Sequence, residues 1–356
     1  MRLFSTEQVS KYHPDKYADQ ISDAILTAYL AKDRYARVAC ETMVKGDVVV
    51  LAGEITSSAE VDRREIVRKV AKKLGYTADC ILEFITEQSR EIADAVDQDA
   101  EIGAGDQGMM VGYATRETPA YLPYGFVLAN KIIKAIESDI ESNPRSILRG
   151  DAKVQVTVDL DAPANFSSVH TVLISVCHHA YAGMLRLELN DIKRYVLILL
   201  DKNKITLPES AKILINPAGL WTVGGPTADS GLTGRKIVCD QYGGYVPVGG
   251  GAFSGKDPSK VDRSGAYAAR SLAVKLLKAN PQVQWVEVQV AYAIGVAHPV
   301  SVSVKSDRPS ENAKLAAQVD YDALTPRQII KSLKLLEGTI NYERLAEGCH
   351  YYGHSW

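Results

Sequence analysis

Lys153-Val-Gln-Val-Thr-Val-Asp159 and Trp285-Val-Glu-Val-Gln-Val-Ala-Tyr-Ala-Ile294 both begin with valine at every second position. A period of two sends successive side chains to opposite faces, so each stretch reads as a strand with one buried face. A second strand comes after each of them, Val169–His178 and Val300–Lys305. Stretches of helical period flank the pairs: Gly125–Ser138 and Asp191–Leu200 about the first, Arg263–Lys278 and Pro326–Leu336 about the second. The same order opens the chain, with a helix over Asp15–Lys32, strands Arg37–Val44 and Val48–Thr56 about a Lys-Gly-Asp turn, and a helix over Asp62–Leu74. Helices before and after each hairpin cover its apolar face, which makes the fold class α+β. Three similar sheet-plus-helix units imply a pseudo-threefold axis, an inference from element order alone because the units share little identity. The expected subdomains are 1–100, 101–222 and 223–356, with segments free to interleave.

Shorter signals fill the gaps. Ser5 with Gln8 reads as a capping box that starts a short helix ending before Pro14. Met109–Ala114, Ala211–Asn216 and Ile237–Asp240 read as strands.

A chain of 356 residues exceeds what one core usually serves. Its net charge of −2 argues against a nucleic-acid partner held by a broad basic face. The dense basic stretch Arg63–Lys73 carries Val67, Val70 and Leu74 at helical spacing, so its cations read as the solvated side of a helix. Five cysteines, odd in number and never in a C-x-x-C pair, suit reduced thiols rather than a disulfide frame or zinc site. There is no signal-peptide core at the N-terminus and no apolar run of about 20 residues, so a cytoplasmic protein without a membrane partner is expected.

Several polar loops carry candidate chemistry. Gly103-Ala-Gly-Asp-Gln-Gly108 matches G-x-G-x-x-G, but the next stretch is strand-like rather than helical. It therefore reads as a tight turn carrying Asp106, not as a dinucleotide site. From Gly250 the segment G-x-x-x-x-G-K ends at Lys256 with Asp257 where a P-loop needs Ser or Thr, and Pro258 comes next. That leaves either an anion-grasping glycine loop with Lys256 and Lys260 or a glycine turn with solvated lysines. His13-Pro-Asp-Lys16 stands at a helix start, where Asp15 suits the macrodipole. Glu41 and Glu54 each interrupt an apolar strand, which is costly unless the carboxylate is paired, binds a cation or faces water. Asp229 with Arg235 and Lys236 in one loop suits either a zwitterionic or phosphorylated ligand or a surface ion pair.

Together, HPDK (13–16), ACET (39–42), GEI (53–55), GAGDQG (103–108), DAK (151–153), GLTGRK (231–236) and GGGAFSGKDPSKVDRS (249–264) closely resemble the S-adenosylmethionine synthetase family, in its order and over nearly the whole chain. The resemblance implies attack of methionine sulfur on C5′ of ATP, loss of the whole triphosphate, and its cleavage to pyrophosphate and phosphate. It implies two Mg2+ per site, one on Asp15 and one on Asp262, and K+ on Glu41. His13 would stand near the ribose and aid departure of the triphosphate; Lys153, Arg235, Lys236 and Lys256 would face the polyphosphate. Asp106, Asp151, Leu220, Trp221, Asp229 and Ala252 would border ATP. Glu54, Asp229 and Lys260 would take the charged ends of methionine. The family resemblance also implies a homodimer with shared active sites, and pairs of such dimers usually form tetramers in the family.

The sequence departs from the family in three places. A glutamine that helps hold methionine in the family corresponds to Asp94, in a loop about two residues shorter, with Gln98 as a nearby substitute. Trp221 replaces a phenylalanine and comes after Leu220 rather than arginine; an indole stacks on adenine at least as well. The chain stops at Trp356, without the bacterial C-terminal extension, which weakens the tetramer expectation. Asp94 keeps a second reading open, an ATP-binding tripolyphosphatase or regulatory subunit, or an enzyme using a different thioether.

Overall fold

The computed structural model describes residues 1–87, 103–354 and 356. The first third runs β1 (Leu3–Val9), α1 (Pro14–Lys32), β2 (Arg37–Lys45), β3 (Val48–Thr56), α2 (Arg63–Lys73) and β4 (Cys80–Thr86). The middle third runs β5 (Gly108–Thr115), α3 (Tyr124–Ser142), β6 (Leu148–Asp159), β7 (Val169–His178), a short ribbon of β8 (Tyr181–Ala182) and β9 (Leu185–Arg186), α4 (Leu189–Lys202) and β10 (Lys212–Ile215). The last third runs β11 (Gly231–Leu232), α5 (Ile237–Asp240), α6 (Val261–Ala279), β12 (Trp285–Tyr292), β13 (Ser301–Ser306), α7 (Asn312–Ala316), α8 (Pro326–Ser332) and α9 (Tyr342–Leu345).

The three main sheets have the orders β11-β2-β3-β4, β1-β6-β7-β10 and β13-β12-β5. An antiparallel hairpin centres each one: β2 with β3, β6 with β7, β12 with β13. In every sheet a further strand lies antiparallel against the first strand of the hairpin, and another third of the chain supplies it. β1 joins β6, β5 joins β12, and β11 joins β2, so the thirds exchange edge strands in a circle.

The alternating valines do what their period predicts. Val154, Val156 and Val158 are buried with Leu128, Ile132 and Ile136 of α3 and Ile192 and Val196 of α4. Val286, Val288 and Val290 are buried in the larger core with Ala266, Ala269 and Ala273 of α6. Each such valine contributes about 1.5–3 kcal/mol relative to exposure. The basic helix α2 buries Val67, Val70 and Ala71 and turns its cations outward.

Three local expectations fail, each for a tertiary reason. Residues 3–9 form β1, not a capped helix, because seven residues pair with β6 from Leu3↔Asp159 to Val9↔Lys153. Ile237–Asp240 is a helical turn rather than a strand; it presents Asp240 to the buried Lys16 ammonium, 2.7 Å away. The helix expected over Pro326–Leu336 ends at Ser332, after which Lys334 adopts φ 55° and Leu335 N–H closes the turn on the Ile330 carbonyl. Among the described residues no helix is long and apolar enough to cross a membrane.

Candidate active site

Two loops lie along one edge of β2. Gly231 and Leu232 pair with Val44 and Met43, and Thr233 N–H continues to the Thr42 carbonyl. Further along, Cys40 N–H donates to the Gly255 carbonyl and Asp257 N–H to the Val38 carbonyl, both at 3.0 Å. Gly255 has φ +80°, and a Cβ there would sit 2.0 Å from the Cys40 carbonyl oxygen, so only glycine lets the loop come this close. Gly234 has φ +78° and rests against Ala252, where an added Cβ would come within 2.4 Å of the alanine methyl. The two polar loops of the sequence, 231–236 and 249–260, thus touch each other.

Helix α1 anchors both. Asp15, Asp19 and Asp23 stand at four-residue spacing and share one helix face. Asp15 accepts from Leu232 N–H, Asp19 from Gly234 N–H and Asp23 from Gly255 N–H, each at 2.9 Å. Every member of the row also meets a cation. Lys236 Nζ lies 2.5 Å from Asp15, Lys16 Nζ 2.9 Å from Asp19, and the Arg263 guanidinium grips Asp23 at 2.6 and 2.7 Å. Lys16, Asp19, Asp23 and Arg263 are fully buried, a setting that tolerates charge only when it is paired. Burial pushes the neighbouring Asp240 carboxyl up to about 7 against the pull of Lys16. The motifs include Lys16 and Arg263 without pointing to this role, and they omit Asp19, Asp23 and Asp240; the available signal is aspartate at three successive turns of one helix.

At the outer end of this row the geometry turns to chemistry. His13 caps α1, its Nδ1 accepting from Asp15 N–H at 3.1 Å, which leaves the neutral ring's proton on Nε2. Burial, then the Lys236 and Lys153 charges, depress the imidazole to about 4 despite Asp15. Burial alone would raise the Asp15 carboxyl, but the Lys236 ammonium and the Leu232 amide hold it below its ordinary value. Arg235 Nη1 stands 3.9 Å from the same carboxylate. Lys153, half-exposed on β6, lies 3.7 Å from Glu7.

Asp262 mirrors Asp15. Each is the second residue of a 19-residue helix, α6 or α1, where the macrodipole favours anions. Asp262 is paired with Lys256 and accepts from Gly251 N–H at 3.0 Å. Gly105 lies against the Ser259 carbonyl and Gly108 beside Asp262, so the exposed Asp106 sits near the start of α6. The G-x-G-x-x-G turn leads into strand β5, as the apolar composition of residues 109–114 predicts.

Asp151 is buried, accepts from Gly225 N–H at 2.8 Å through one oxygen, and leaves Oδ1 without a partner. Burial raises its carboxyl to about 6, with the Asp229 charge adding to the rise. Trp221 N–H donates to His178 Nε2 at 3.0 Å and its indole N–H to the Val223 carbonyl at 2.6 Å. Leu220 and Asp229 are exposed, and Asp229 accepts from Ser230 N–H at 2.8 Å. Glu41 and Glu54 project from the open face of the first sheet, and Ala39, Glu41, Ala52, Glu54, Ala252 and Lys256 help line a cavity of about 220 Å³. Lys260 is turned elsewhere, onto buried Asp257 at 2.7 Å. That contact, with Val38 N–H on the same carboxylate, explains an aspartate where a P-loop has a hydroxyl. Asp94 and Gln98 lie outside the described residues.

Among the described residues no group of three or more His, Cys, Asp or Glu could hold a metal by itself. Single carboxylates such as Asp15 and Asp262 fit a hard cation that keeps phosphate and water as its other ligands. Paired lysines and aspartates at two helix N-termini, beside a neutral imidazole, have the chemistry that phosphate anions require.

Comparison with known proteins makes this specific. Family models for the N-terminal, central and C-terminal domains of S-adenosylmethionine synthetase match residues 1–100, 101–221 and 223–355. An S-adenosylmethionine synthase of Mycoplasmopsis synoviae is 47% identical over 343 residues, covering 94% of this chain and 88% of the relative. One from Helicobacter pylori strain J99 is 44% identical over 347 residues, covering 94% and 89%. The chain belongs to the S-adenosylmethionine synthetase family and is an enzyme of the methionine adenosyltransferase type.

Proposed function

We propose that this chain joins L-methionine to ATP by attack of the thioether sulfur on C5′, expels the intact triphosphate, and hydrolyses it to pyrophosphate and phosphate before product leaves. The observation that carries this reading is the pairing of Lys236 with Asp15 and of Lys256 with Asp262 at two helix N-termini whose loops touch. A neutral thioether needs no general base, so the protein's work is positioning and stabilising negative charge on the departing polyphosphate. Arg235, Lys236, Lys256 and Lys153 supply the positive charge. His13, neutral with Nε2–H available, donates a hydrogen bond near the ribose as the bond to C5′ breaks. The unpartnered Asp151 oxygen accepts from the nucleotide, with Asp106, Leu220, Trp221 and Ala252 bordering it. Glu54 and Asp229 suit the ammonium of methionine, and Lys260, released from Asp257, its carboxylate. Two magnesium ions held on Asp15 and Asp262 would neutralise polyphosphate charge, and a potassium ion on Glu41 would complete the family's ion requirement.

Met43, Leu82 and Phe84 are 44%, 45% and 64% exposed on the same open face as Glu41 and Glu54. An apolar face bearing site residues supports a homodimer packed sheet to sheet, with each active site completed by the partner. The circular strand exchange, together with 19-residue helices α1, α3 and α6 ahead of the three hairpins, supports a pseudo-threefold arrangement of the three segments.

The direct test supplies ATP, methionine, Mg2+ and K+ and counts products. One sulfonium, one pyrophosphate and one phosphate per turnover are expected; phosphate without sulfonium would contradict the proposal. The titration of Asp151 adds a pH signature. A carboxyl raised to about 6 is ionised at neutral pH and becomes protonated as pH falls through that value, losing its acceptor. The kcat/KM for ATP should therefore show an acid limb near pH 6. Asp151→Asn should lower the plateau and flatten that limb, and a limb unchanged in the variant would rule Asp151 out as its source.

A further inference from the structure

Beyond the residues that face substrate, we propose that Asp19 and Asp23 are positioning residues, each setting the register of one phosphate-binding loop against the rigid frame of α1. The inference rests on the polyphosphate reading of this site. Neither carboxylate reaches the site itself: both are fully buried, and both are committed to cations within the fold. Besides its cation, each holds the backbone amide directly ahead of a phosphate-facing cation. Asp19 holds Gly234 N–H, and Arg235 and Lys236 come next in the chain. Asp23 holds Gly255 N–H, and Lys256 comes next.

Four residues of helix advance about 6 Å, so the two anchor points are separated by one stiff turn rather than by flexible loop. Arg263 closes the second clamp from the other side, donating to the Lys256 carbonyl at 3.1 Å while its fork holds Asp23. The first clamp is braced by Lys16, which spans Asp19 and Asp240. The loops contain the glycines that permit close approach to β2 and to each other, and those same glycines leave the backbone free to drift without a tether. Fixing each amide fixes the starting point of the cationic side chain beyond it. A displacement of about 1 Å at such a group is enough to cost orders of magnitude in rate.

A merely structural aspartate would lower stability and weaken both loops alike; a positioning one acts on its own loop. Double-mutant cycles separate the two. Tripolyphosphate binding with Mg2+ present is measured by calorimetry for the wild type, Asp19→Asn, Asp23→Asn, Lys236→Met, Lys256→Met and the four double variants, well below each melting temperature. Each lysine substitution is expected to weaken binding about tenfold in the wild-type background. With Asp23→Asn, the Lys256 substitution should cost less than about threefold while the Lys236 substitution keeps its full cost; with Asp19→Asn the pattern should reverse. If Asp23→Asn does not fold, Arg263→Lys, which keeps the charge but shortens the reach to the Lys256 carbonyl, takes its place in the cycle. Additive cycles in all four combinations would overturn the positioning role alone. Lysine substitutions without effect in the wild type would overturn the polyphosphate reading and the inference with it.

Discussion

Asp15→Asn and Asp262→Asn are each expected to lower kcat/KM for ATP by about a thousandfold, yet to tighten the binding of tripolyphosphate when magnesium is absent. The two effects have one cause. Lys236 is docked on Asp15 and Lys256 on Asp262, so on the proposed reading the cations that face phosphate are held by the carboxylates that take metal. A polyphosphate arriving alone must break those pairs and then sit beside two carboxylates. Removing one carboxylate relieves the repulsion and frees its lysine, a gain of about 1–2 kcal/mol for a buried carboxylate facing a partly exposed lysine, or roughly tenfold in affinity. With magnesium present the sign reverses, because the carboxylate is then a ligand rather than a repellent. Titrating tripolyphosphate into wild type and variants, with and without Mg2+, checks both halves. Variants that bind metal-free tripolyphosphate more weakly than the wild type would contradict the pairing argument.

His13→Ala is expected to slow sulfonium formation by about a hundredfold to a thousandfold while leaving the hydrolysis of added tripolyphosphate within a few-fold of normal. In the proposed mechanism the ring donates to oxygen near the ribose as the C5′–O bond breaks, not at the later phosphoanhydride cleavage, so the two half-reactions should part company. His13→Asn, whose side-chain amide can donate, should recover part of the loss. Because burial and the Lys236 charge hold the imidazole near 4, it stays neutral through the physiological range and adds no limb of its own near pH 6. Acidification should expose the same shift in stability. Between the ordinary value of 6.5 and about 4 the unfolded chain takes up a proton that folded His13 refuses, so stability falls over that window. The Asn variant should lose less there, read as the drop in melting temperature. Equal loss of both half-reactions in His13→Ala would place the ring's role elsewhere.

Periodicity and motif carry different kinds of information in this chain. The valine alternations at 154–158 and 286–290 and the helical stretches beside them mark the hairpins and their covering layers, because those patterns are local consequences of burial. Segment 3–9 misleads because Ser5 and Gln8 look like a cap until β6 is there to pair with them. Residues 237–240 mislead because the decisive partner of Asp240 is Lys16, 224 positions away in the chain. The edge-strand exchange is likewise invisible, since nothing in β1 or β11 says which sheet receives it.

The motifs point to side chains proposed to face a ligand but say little of how the loops are held. Gly255 is legible as a turn residue, whereas its tether to Asp23 depends on how α1 packs against the loop. Asp257 looks like a flawed P-loop residue and is instead a buried acceptor for Val38 N–H, Ser259 N–H and Lys260. The resemblance turns Lys260 toward methionine; in the fold Asp257 holds it.

A rapid-quench single turnover, with enzyme in excess over ATP and methionine, Mg2+ and K+ present, tests the central claim most directly. Sulfonium and enzyme-bound tripolyphosphate should appear together at equal amounts, and phosphate should rise only as the tripolyphosphate decays. Phosphate that appears ahead of sulfonium, or at the same rate when methionine is left out, would contradict the account.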